Sequence, residues 1–149
     1  MKKLNLLVAI MVVTAFSSQL KAQTPYKERA EEMFQLVWDL YRVPQYGLFA
    51  EYYPSEHKPN LTYFNDSDKQ AQEVSYLWPM SGIFSSAVLM GSMDPDKYGV
   101  YIDSMVVAME EYYDTSRVPF GYQAYPVRFE KVDRYYDDNG LVGIDYIDS

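Results

Sequence analysis

The chain has 149 residues, 13 of them basic and 21 acidic, a formal net charge of −8, and no cysteine. A balance this acidic argues against nucleic acid as a partner, and the absence of cysteine rules out a disulfide framework or a lipid-bearing thiol. The 16 tyrosines pair a flat apolar face with a polar tip, which suits either stacking on sugar rings or filling a core with wet edges.

Lys2 and Lys3, the apolar run from Leu4 to Phe16 and the polar stretch ending at Ala22 have the layout of a secretory signal peptide. The apolar run is too short to span a bilayer. Cleavage after Ala22 removes Lys2, Lys3 and Lys21 and no acid, so ten basic residues face 21 acidic ones and the net charge becomes −11. The expected product is a soluble exported protein without a membrane anchor, periplasmic or extracellular, consisting of one domain over residues 23–149.

From Tyr26 to Tyr41 the apolar residues Ala30, Met33, Phe34, Val37, Leu40 and Tyr41 recur at steps of three and four, which predicts an amphipathic helix ended by Pro44. Residues 45–76 lack a lasting apolar period and predict a long exposed loop, where the single histidine, His57, is expected to be solvated. A second helix is predicted from Pro79 to Met90, apolar enough to be buried, and a third from Lys97 to Tyr113. The third carries an inward stripe of Tyr98, Ile102, Met105, Val106 and Met109. Asp114 to Val127 reads as another loop. The last helix begins at Asp137-Asp138-Asn139 and contains Leu141, Val142, Ile144 and Ile147. Four helices without a competing strand signal predict an all-α array of antiparallel hairpins.

The tandem acids Asp137 and Asp138 carry the chemistry. An EF-hand loop with its glycine at Gly140 would need an acid at Tyr135 and a glutamate at Tyr146, and neither is there. A second such loop through Asp94 fails at Met105. No nucleotide-binding or serine-nucleophile motif is present. Paired carboxylates remain, and glycoside hydrolysis with retention of configuration needs two carboxyl groups roughly 5 Å apart. Neighbours at a helix start meet that requirement, and mutual repulsion would split their pKa values into a nucleophile and a proton donor. Arg134, one turn upstream, is placed to pair with either acid or to form a structural ion pair.

Four blocks, Tyr76 to Gly82, Glu110 to Asp114, Gly121 to Pro126 and Asp133 to Asn139, resemble in order and spacing the N-terminal part of family 76 glycoside hydrolases. The resemblance spans nearly all of residues 23–149. It implies an (α/α)6 barrel, endo-acting α-1,6-mannanase activity on mannan oligo- or polysaccharide, and no metal or organic cofactor. Asp137 falls on the family's nucleophile and Asp138 on its general acid/base. Trp78 and Tyr125 fall in blocks facing the sugar groove, although packing accounts for either equally well. The family barrel has twelve helices and four are legible here, so the resemblance also implies an N-terminal portion of such a domain. Its other half would be lost or separately encoded, and the portion alone would be marginally folded, prone to associate and inactive. A non-catalytic mannan-binding remnant and an inactive fragment are the alternatives.

Overall fold

The computed structural model describes residues 25–54 and 73–149. The signal peptide expected at residues 1–22, His57 and most of the long loop predicted over 45–76 lie outside these residues. The described residues form a small, mostly helical domain of four helices and two short antiparallel hairpins. None of the helices is long and apolar enough to cross a membrane.

Helix α1 covers residues 25–41 and crosses the boundary between two compact units, residues 1–35 and 36–149. In the first unit the described part is helix alone, with Phe34 buried and Met33 exposed. The second unit takes in everything from Leu36 onward. Strand β1 (Arg42–Val43) follows α1 at once, so the helix stops before Pro44 is reached. It pairs with β2 (Leu48–Phe49) through a turn closed by Tyr46 and Gly47 amides on the Val43 carbonyl, both 3.1 Å. Gly47 has φ +70, a left-handed turn position that favours glycine. The Arg42 guanidinium lies 4.8 Å from the Trp38 ring and 5.3 Å from Phe49, a cation–π contact that fastens the hairpin to the end of α1.

Helix α2 (Leu77–Met93) is longer at both ends than its apolar run predicts. Pro79 occupies the third helical position, where the missing N–H leaves no intrahelical bond unmade. The Leu77 amide instead donates to the Ala124 carbonyl at 2.8 Å. Helix α2 is not wholly buried as predicted. Leu77, Met80, Phe84 and Ala87 face the core, while Trp78, Leu89 and Met93 are exposed. Helix α3 (Pro95–Met109) starts with Pro95 behind Asp94, whose side chain accepts the Lys97 amide at 3.1 Å as an N-cap. Its predicted stripe holds at Tyr98, Met105 and Met109, which are buried, with Ile102 and Val106 half-buried. A 3-10 turn at Glu110–Tyr112 finishes the segment.

From the predicted end of the third helix into the predicted loop lie β3 (Tyr113–Asp114) and β4 (Gly121–Tyr122), antiparallel, with Tyr113 opposite Tyr122 and Asp114 opposite Gly121. Helix α4 (Tyr136–Asp148) packs on α2 and β4. Its buried residues are Asp138, Val142 and Asp145, whereas Ile144 and Ile147 are exposed. Residues 138, 142 and 145 share one helical face, and docking on α2 through Phe84 against Tyr146 and Ser85 against Asp145 turns that face inward.

The Tyr112 hydroxyl, fully buried, donates to the Ser75 carbonyl at 2.7 Å and ties the end of α3 to the approach to α2. Tyr112→Phe leaves that carbonyl without its partner. A loss of about 1–3 kcal/mol is expected, measured by chemical denaturation of the variant beside the parent.

Candidate active site

Tyr136 to Asn139 form the first turn of α4, with Tyr135 in extended backbone as the N-cap. Asp137 and Asp138 are therefore the second and third helical residues, where unpaired backbone N–H groups favour an anion. Asp137 is exposed, and its Oδ1 accepts the Asp138 amide at 3.1 Å. Asp138 is 5% exposed, and burial, reinforced by the charge of Asp137, pushes its carboxyl above the usual carboxylate range.

Two anchors flank the pair. On the near side, Arg134 donates through Nη2 to Asp114 Oδ2 at 2.8 Å and to the Arg117 carbonyl at 3.1 Å, and through Nη1 to the Pro119 carbonyl. Arg134 thus pairs with Asp114 and with neither of the tandem acids, because Asp114 at the end of β3 is itself buried and needs cations. Arg117 Nε donates to the same Asp114 oxygen at 2.6 Å and the Ser116 amide to the other at 2.7 Å. Hydrogen bonds from Ser116 and from the Arg134 and Arg117 guanidiniums hold Asp114 well below the usual carboxylate range.

On the far side, the Asn139 carboxamide reads both backbone groups of Tyr122. Its Oδ1 accepts the Tyr122 amide at 2.8 Å, and its Nδ2 donates to the Tyr122 and Tyr135 carbonyls, each at 2.8 Å. Asp114 and Tyr122 belong to the two strands of one hairpin, so both anchors hold on to the same piece of backbone.

The remaining predicted site residues join this frame through backbone. Leu77, beside Trp78, donates to Ala124, beside Tyr125, and the Ala124 amide donates to the Asp133 carbonyl at 3.0 Å, just ahead of Arg134. Three separate segments of the sequence therefore meet at Ala124. Trp78 presents an indole 56% exposed. Tyr125 is buried, its ring 5.5 Å from Tyr76 and 5.7 Å from Phe129. Neither of two surface depressions, one near Arg42 and Gln45 and one between Tyr46 and Val107, has Asp137, Asp138 or Trp78 in its wall. Among the described residues no cluster of three or more histidine or acidic side chains is arranged to hold a metal ion.

Sequence reasoning passed over Asp145. Its Oδ1 accepts the Ser85 hydroxyl, its Oδ2 is buried without a partner, and α2 carries no ionisable residue to neutralise it. Spacing was the available signal: Asp138, Val142 and Asp145 stand at i, i+4 and i+7 on one face. Burial, with a smaller contribution from Asp148 and against the Ser85 hydrogen bond, raises the Asp145 carboxyl as it does Asp138.

These shifts fix the direction of pH dependence. An unfolded aspartate titrates near about 3.9. Asp138 and Asp145 are raised in the fold, so the stability tied to their protonated forms is complete below that value and is lost as pH rises through their folded values. Glu51, raised by burial, acts in the same direction. Asp114 is lowered, so its contribution is complete above the unfolded value and is lost as pH falls through its folded one. The melting temperature is expected to be highest just above the unfolded aspartate value of about 3.9 and to fall as pH rises from there through the folded values of the raised acids. Asp145→Asn, which keeps an acceptor for Ser85, should flatten the fall.

No family model matches the chain, and no curated protein matches it.

Proposed function

We propose that this protein is an exported glycoside hydrolase of the family 76 kind, acting on α-1,6-linked mannan with retention of configuration. The observation that carries this reading is the unequal burial of two neighbouring carboxyls in the first turn of α4. Asp137, open to solvent at a helix N-terminus, suits the ionised nucleophile. Asp138, buried and pushed upward, suits the group that arrives protonated.

The chemistry then runs in two steps. Asp137 attacks the anomeric carbon while Asp138 gives its proton to the departing glycosidic oxygen, leaving a sugar ester on Asp137. Asp138, now a carboxylate, takes a proton from the water that attacks the same carbon, and the ester bond breaks with net retention. Neither step calls on a metal or an organic cofactor. Trp78 offers a stacking face for a sugar ring, and Tyr125, packed against Tyr76 and Phe129, stands beside the backbone junction at Ala124.

In this reading the four helices are part of an (α/α)6 barrel, and residues 23–149 alone are expected to turn over no mannan. Activity is to be measured on these residues fused to the remaining barrel helices of a family 76 enzyme, with the anomeric proton of the first product followed by NMR. An α-configured first product that disappears in Asp137→Asn supports the reading, and a β-configured one rejects it. The exposed indole of Trp78 favours a second reading, a mannan-binding domain without catalysis. That reading predicts mannan retention in affinity electrophoresis which Trp78→Ala abolishes, with no turnover in any fusion.

A further inference from the structure

Tyr113 and Tyr122 face each other across the β3–β4 hairpin, and the Tyr122 amide and carbonyl point away from β3 toward α4. A third strand would ordinarily satisfy such an edge. Here one side chain does so. We infer that Asn139 is the positioning residue of the tandem-aspartate site, pairing with the β4 edge as a strand would and so setting where the first turn of α4 presents Asp137 and Asp138.

Three observations carry this. The three side-chain hydrogen bonds of Asn139 are all 2.8 Å, two of them to Tyr122 and one back to Tyr135, so the carboxamide is held on both sides and its only rotational freedom is spent. Asn139 is also covalently next to Asp138, so a shift of its Cα carries the acid with it. Finally, Gly121 leaves room for the Asn139 carboxamide. A Cβ at Gly121 would stand 3.0 Å from Asn139 Oδ1, so the carboxamide would have to give by a few tenths of an ångström, while its 3.7 Å approach to the Arg134 side chain is an ordinary contact. The contact with α2 sets which face of α4 turns inward, and the polar edge of β4 then fixes where its first turn sits.

The inference rests on the proposed glycosidase reading for its catalytic meaning, but its test does not. Carbon-13 NMR of aspartate-labelled full chain gives the titration midpoint of the Asp138 carboxyl directly. In Asn139→Ala the first turn loses its hold on β4, Asp138 gains water, and its midpoint should fall toward that of an exposed aspartate. Tyr112→Phe, which loosens the fold away from α4, should leave the midpoint in place, so a general loss of stability cannot imitate the effect. An unchanged midpoint in folded Asn139→Ala overturns the inference. Should that variant not fold, Gly121→Ala decides in the same measurement, because it keeps every hydrogen-bonding group and only crowds Asn139. A downward shift supports positioning and an unchanged midpoint overturns it. A shifted midpoint in a protein whose family 76 fusion cleaves no mannan leaves the positioning intact and removes the glycosidase reading alone.

Discussion

Asp137→Asn is expected to abolish mannan cleavage in an active fusion, and Asp138→Asn to lower kcat/KM by about 10²–10⁴-fold, the usual share of a positioned proton donor. The two losses differ in kind. Without the Asp137 carboxylate no sugar ester forms, and no choice of substrate restores turnover. Without the Asp138 proton the first step slows in proportion to how poor the leaving group is, so an aryl mannoside with an acidic phenol should still load Asp137. Deglycosylation then lacks its base, and the ester accumulates. Steady-state rates on mannan and on an activated aryl mannoside, measured side by side, separate the roles. Equal sensitivity of both substrates to Asp138→Asn would deny it the proton-donor role.

The largest effect on stability is expected from Asp114→Ala. Asp114 is 2% exposed and receives two guanidiniums and a backbone amide. Removing it leaves Arg117 and Arg134 together at the end of β3 without the carboxylate that drew them in, and a broken ion pair of this kind costs more than the pair contributes. Arg117 Nη2 also donates to the Val132 carbonyl at 2.8 Å and Arg134 to Pro119, so the segment from Asp114 to Arg134 should loosen as a unit. The loss should exceed that of Tyr112→Phe in the same denaturation experiment. Asp114→Asn should be milder, since it keeps an acceptor, and should weaken the acid side of the pH profile.

The helices were legible because their apolar residues recur over many turns, as at Tyr98, Met105 and Met109, and the tandem acids were legible as a helix start because α4 begins one residue before them. The hairpins were not, since strands of two residues show no alternation. The inward face of α4 was not legible: Ile144 and Ile147 are exposed, and the contact with α2 buries Asp138, Val142 and Asp145. A pattern of hydrophobicity cannot anticipate a buried acid, whose burial raises its carboxyl above the usual range. For Arg134 the sequence left open either tandem acid or a structural ion pair, and the fold supplies the structural one, with the buried Asp114 twenty residues back.

The most direct test of the central claim is covalent capture of the nucleophile. The active fusion is treated with a mannose-configured mechanism-based inactivator and its peptides are read by mass spectrometry. One adduct is expected, on Asp137, absent in Asp137→Asn and still formed in Asp138→Asn with a probe bearing a good leaving group. An adduct on any other residue, or mannan hydrolysis by a protein that never carries one, would contradict it.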